Sequence, residues 1–92
     1  MYNYEINPEL RQILNRLSKK DKSLWEQVLK KIDEIINCSD VEHYKNLRHD
    51  MKDKKRVQIG HFVLVFKYIE SENKIYFVDF DHHDNIYGNQ KW

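Results

Sequence analysis

The sequence predicts an α+β domain: an N-terminal strand, a helical hairpin, then three mainly antiparallel strands, in the order β-α-α-β-β-β. Three observations lead there. Two adjacent stretches in the first half carry apolar residues at helical spacing, and two stretches in the second half alternate as strands do. The chain has 92 residues, 40% of them hydrophobic and 34% charged, which is enough for one core and one domain spanning 1–92.

The elements follow in order. In "YNYEI" the residues Tyr2, Tyr4 and Ile6 share one face, a strand pattern. Asn7, Pro8 and Glu9 then read as a helix start: a capping side chain, a φ already set for the first turn, and an acid at the positive end of the helix dipole. Leu10, Ile13, Leu14 and Leu17 form the buried stripe of that helix. "SKKDKS" interrupts it, and Asp21 is placed to cap a second helix with the stripe Leu24, Val28, Ile32 and Ile35, widened by Trp25, Leu29 and Ile36. A break of a few residues between two amphipathic helices implies an antiparallel hairpin packed on one face of a sheet. Further on, "RVQIGHFVLVFKYI" reads as a short and a long strand parted at Gly60, and "ENKIYFVDF" as the last strand.

Composition narrows the setting. The one cysteine, Cys38, leaves no internal disulfide and suits a reducing compartment, so the cytoplasm is expected. No apolar run approaches the roughly 20 residues of a membrane span. "MYNYEINPEL" lacks the basic and apolar regions of a signal peptide. The net charge of +1 conceals a basic segment: Lys45, Arg48, Lys52, Lys54, Lys55 and Arg56 stand against only Asp50 and Asp53. Such a cluster is either a solvated loop or a patch that attracts a polyanion and releases its counterions.

Near the end of the chain, "DFDHHDNIYG" gathers acids, two histidines and a tyrosine. Strand alternation puts Val78, Phe80 and His82 on one face and Asp79, Asp81 and His83 on the other. It also makes Val57 and Ile59 core residues and sends Arg56 and Gln58 to the face of His83, with Tyr87 reaching in from beyond the last strand. His82 is expected to face the core and hydrogen-bond a backbone group. Tyr68 and Tyr76 are expected to pack. Adjacent strand histidines point apart and cannot easily share one ion, so neither a metal nor another cofactor is expected.

Here the chain resembles the RelE/ParE toxin superfamily of toxin–antitoxin modules. The similarity rests on Leu47 within the basic segment, on the double strand Arg56-Val57-Gln58-Ile59-Gly60-His61-Phe62 with Leu64, Val65 and Phe66, and on the closing His82-His83-Asp84-Asn85-Ile86-Tyr87. The resemblance implies a sheet of the RelE-like microbial-ribonuclease type and a metal-independent endoribonuclease, an mRNA interferase that enters the ribosomal A site. There a ribose 2′-OH attacks the adjacent phosphate. Carried over by position, it implies catalytic roles for Arg56, His83 and Tyr87. Arg48, Lys52, Lys54, Lys55 and Gln58 are the expected RNA- and phosphate-binding residues.

The implied partners are the ribosome, its mRNA and a small RelB-like antitoxin in a hetero-oligomeric complex, with Trp25 and Leu29 as the expected antitoxin contacts. Two positions depart from the family pattern: Val63 and Gln58 stand where many members are basic. A ParE-like inhibitor of DNA gyrase, or an inactive relic acting only with its antitoxin, are the alternatives.

Overall fold

The computed structural model describes residues 1–48 and 53–88. Its elements are β1 (Asn3–Ile6), α1 (Pro8–Lys20), α2 (Lys22–Asn37), β2 (Lys54–Ile59), β3 (Phe62–Ile69), β4 (Lys74–His82) and a short C-terminal helix, α3 (His83–Gly88). The four strands form one sheet in the order β1-β4-β3-β2, with β1 parallel to β4 and the other pairs antiparallel. Among the described residues no helix is long and apolar enough to cross a membrane.

Local chemistry sets the helix boundaries. Asn7 Oδ1 accepts a hydrogen bond from the Glu9 amide at 2.8 Å, and Pro8 opens the first turn of α1. Lys19 and Lys20 close α1 at the negative end of its dipole. Asp21 alone joins the two helices: its amide donates to Leu17 O at 2.9 Å, and its carboxylate accepts from the Leu24 amide at 3.1 Å. The connection is therefore shorter than the expected break of a few residues. Ser18, Lys19 and Lys20 tolerate a helix, so α1 runs on until Asp21 can serve both ends.

Both helices cover one face of the sheet. Leu10, Leu14, Val28, Ile32, Ile35 and Ile36 pack with Ile59, Leu64, Phe66, Ile75, Phe77 and Phe80 in a continuous core. Phe66 and Phe77 are wholly buried there, and truncating either to Ala costs about 3–5 kcal/mol.

The opposite face carries a second, smaller core of Leu47, Val63, Val65 and Ile86, joined by Val78 and Tyr87. α3 and Leu47 thus close one end of a face that is otherwise polar. Leu47 is held there by backbone pairing of its segment with β2: its amide donates to Lys54 O at 2.8 Å, and the Arg56 amide donates to Lys45 O at 3.0 Å.

Two irregularities re-aim side chains. The register between β3 and β4 shifts at Val65/Phe66, with Val65 opposite Asp79 and Phe66 opposite Phe77. Val78 is the extra residue of this bulge and joins the second core, so it does not share the face of Phe80 as simple alternation predicts. Gly60, at a φ of 62°, makes the turn from β2 to β3.

Candidate active site

Because β2, β3 and β4 are in register, side chains fall into rows on the face away from the helices. Arg56, Val65 and Asp79 form one row, and Gln58, Val63 and Asp81 the next. α3 lies beyond the second row. Its start is tied to the β2–β3 turn, because the His83 amide donates to His61 O at 2.8 Å. Asp81 Oδ1 accepts from the His82 amide at 2.7 Å and from Asn85 Nδ2 at 3.0 Å, fastening α3 to the end of β4.

His83 therefore sits on a helix, one turn before Tyr87. Their ring centroids are 4.6 Å apart with the planes inclined by 52°. The His83 side chain is 49% exposed, and its Nδ1 lies 3.7 Å from Asp84 Oδ1. The same carboxylate reaches to 3.8 Å from His82 Nδ1, so one acid stands between two imidazoles.

Tyr87 is half-buried, its ring against the second core. Arg48 Nη2 donates to the Tyr87 carbonyl at 3.4 Å, which carries the basic segment to α3. The Tyr87 hydroxyl and Arg48 Nε are both buried without a hydrogen-bond partner. An unpaired buried polar atom costs about 1–3 kcal/mol.

The structure brings Arg48, His83 and Tyr87 together and lays Arg56 and Gln58 on the same face. The Gln58 amide is engaged by its own turn, donating to Gly60 O at 2.9 Å. Lys54, half-buried on that face, pairs with Asp53 at 3.3 Å.

Lys55 is set apart. It is 7% exposed, lies opposite Phe66 on the helix-covered face, and donates to Tyr44 O and Asn46 Oδ1, each at 3.3 Å. Strand alternation divides the basic run, and a lysine held this way is not presented to a phosphate. Lys52 and Asp50 lie outside the described residues.

His82 is not the core residue expected. Its side chain is 44% exposed, stacked on His61 at 6.2 Å and edge-on to Phe62 at 5.5 Å. The expected backbone bond is present, since the Asp84 amide donates to its Nδ1 at 3.2 Å. Strand β4 ends at His82, two residues beyond Phe80, its last member of the helix-covered core.

Val63 is 1% exposed beneath Ile86 and Leu47, which accounts for an apolar residue at that position. Trp25 and Leu29 belong to the helical layer, Trp25 partly buried against the core and Leu29 38% exposed. Among the described residues no three His, Cys, Asp or Glu side chains converge as a metal site. Lys67, not singled out by the sequence pattern, also lies on this face by alternation from Val63 and Val65.

The fold is that of the small RelE-type toxins. It superposes on the isolated E. coli RelE toxin with a TM-score of 0.73 at 17% identity, covering 89% of this chain and 84% of that one. The E. coli RelBE toxin–antitoxin complex matches with a TM-score of 0.72 at 17% identity, over 89% of this chain and 96% of that one. No family model matches the sequence. A protein of Methanocaldococcus jannaschii named "Putative toxin RelE4" is 52% identical over 92 residues, 99% of this chain and 96% of that protein. The chain belongs to the RelE toxin family.

Proposed function

We infer that the chain is the toxin of a two-component toxin–antitoxin pair, and that it cleaves mRNA in the ribosomal A site. The observation that carries this reading is the contact between His83 and Tyr87 on α3, at the end of a face that also bears Arg48, Arg56 and Lys54.

The chemistry divides among these groups. His83 takes the proton from a ribose 2′-OH as that oxygen bonds to the adjacent phosphorus. Arg56 carries a permanent charge and holds the oxygens of the phosphorane, where negative charge accumulates. The P–O5′ bond then breaks, leaving a cyclic phosphate on the upstream fragment, and the departing 5′-oxygen takes up a proton from solvent water. Tyr87 offers its ring as a stacking surface and an unpaired hydroxyl to the nucleotide at the cleavage site. Arg48 braces Tyr87 and adds positive charge beside it.

A small antitoxin is the partner this reading requires, with the exposed flank of α2 at Trp25 and Leu29 as its contact. The E. coli RelBE structure pairs a toxin of this fold with its antitoxin, which supports that expectation. A translating ribosome as target places the chain in the cytoplasm.

Two assays run side by side test the reading against the gyrase alternative. Purified protein should arrest a reconstituted translation reaction and leave DNA supercoiling by gyrase unchanged. Inhibition of supercoiling with translation intact would replace it with the ParE-like function.

A further inference from the structure

The face that carries Arg56 and α3 continues past them to the far end of the sheet. There Lys54, Lys67 and Tyr76 form one row across three strands. Lys54 and Lys67 are directly opposite in an antiparallel pair, with Cβ atoms about 4.5–5.5 Å apart by the geometry of such pairs. Like charges opposite one another destabilise a sheet. Asp53, whose carboxylate pairs with Lys54 Nζ at 3.3 Å, supplies one anion at this place.

Next to the lysine pair is a cavity of about 320 Å³ lined by Lys67, Ile69, Glu72, Tyr76 and Val78. The Tyr76 ring is held from two sides. Its hydroxyl donates to Glu72 Oε1 at 2.7 Å, and Lys74 Nζ lies 5.0 Å from its centroid. A fixed, half-buried aromatic ring beside a cationic pair combines a stacking surface with a phosphate clamp. Single-stranded nucleic acid is bound by that combination. Lys54 stands two positions before Arg56 on the same face of β2, so the lysine row is the next row along the sheet, on the side away from α3.

We propose that Lys54, Lys67 and Tyr76 form a second nucleotide subsite, which binds single-stranded RNA flanking the cleavage site. The two ammonium groups hold a backbone phosphate in place of Asp53, and Tyr76 stacks on the base. This rests on the ribonuclease reading and extends it from one nucleotide to a strand lying along the sheet.

The test uses the full chain and fluorescent single-stranded RNA with a 2′-O-methyl ribose at each position, so that no 2′-OH can attack and nothing is cut. Binding is followed by anisotropy across a salt series, with cleavage of ribosome-bound mRNA measured in parallel. Tyr76→Ala should weaken binding by about 5- to 150-fold, the range for losing one base stack, while Tyr76→Phe keeps wild-type affinity. Lys67→Gln should reduce the salt slope by about 0.7 for one lost phosphate contact. Asp53→Asn removes the competing carboxylate and should tighten binding, a gain that misfolding cannot imitate. Wild-type affinity in Lys67→Gln and Tyr76→Ala, with cleavage intact in the wild type, overturns the subsite and leaves the ribonuclease reading standing. A wild-type protein that neither binds RNA nor cleaves mRNA overturns both.

Discussion

The rings of His83 and Tyr87 lie 4.6 Å apart, one helical turn from each other on a helix of only six residues. So short a helix does not hold itself together. It persists because Ile86 is wholly buried and because Asp81 and His61 accept hydrogen bonds from its start. The positions of both candidate catalytic side chains are therefore set by the second core, not by α3 itself.

The buried, unpaired hydroxyl of Tyr87 separates stability from function. Tyr87→Phe keeps the ring and removes an unsatisfied polar atom, so the variant should be as stable as the wild type or up to about 1–3 kcal/mol more so. Cleavage should fall, because the hydroxyl is kept for the nucleotide. Urea denaturation alongside a cleavage assay measures both; a destabilised variant with full activity contradicts this assignment.

Val63 supports α3 from below. Restoring the basic residue of the family pattern by Val63→Arg forces a charge beneath Ile86 and should cost at least about 3 kcal/mol. The expected outcome is lower thermal stability together with lost activity. A stable Val63→Arg protein with enhanced cleavage would show that this position belongs to the catalytic face.

Lys54 and Lys55 are neighbours with different surroundings. Lys54→Ala should flatten the salt dependence of RNA binding by about 0.7 of a unit and barely change stability. Lys55→Ala should leave that slope unchanged and destabilise the fold by about 1–3 kcal/mol, because it empties the position that bonds Tyr44 O and Asn46. Identical behaviour of the two variants would argue against the division of the basic run.

Burial pushes the Cys38 thiol above its ordinary value and outweighs the opposing hydrogen bond from the Asp40 backbone. A raised thiol holds less thiolate at any given pH, so alkylation by iodoacetamide should follow a pH curve displaced upward from that of the urea-unfolded chain. Coincident midpoints for folded and unfolded protein would contradict this.

The parts of the fold that depend on local chemistry were legible in the sequence. Asn7 and Asp21 announced their helices, the apolar stripes named the core, and Gly60 marked the turn. Two features were not. The bulge at Val78 is a matter of register between strands, which a single strand's alternation does not contain. α3 is too short for helical periodicity to reveal, so His83 was placed on a strand and its four-residue spacing to Tyr87 carried no weight. The division of the basic run, by contrast, is legible: the alternation that sends Arg56 to one face of β2 sends Lys55 to the other.

The proposed role of His83 is to move the proton in RNA cleavage. Programmed ribosomes carrying a defined A-site codon, incubated with wild type, His83→Ala and His82→Ala, show whether it does. His83→Ala should cleave about 10²–10⁴-fold more slowly than wild type while keeping its fold and its affinity for the ribosome. His82, which caps the start of α3 with its ring half exposed, should tolerate the same change with a smaller loss. Cleavage by folded His83→Ala at the wild-type rate would remove His83 from the chemistry.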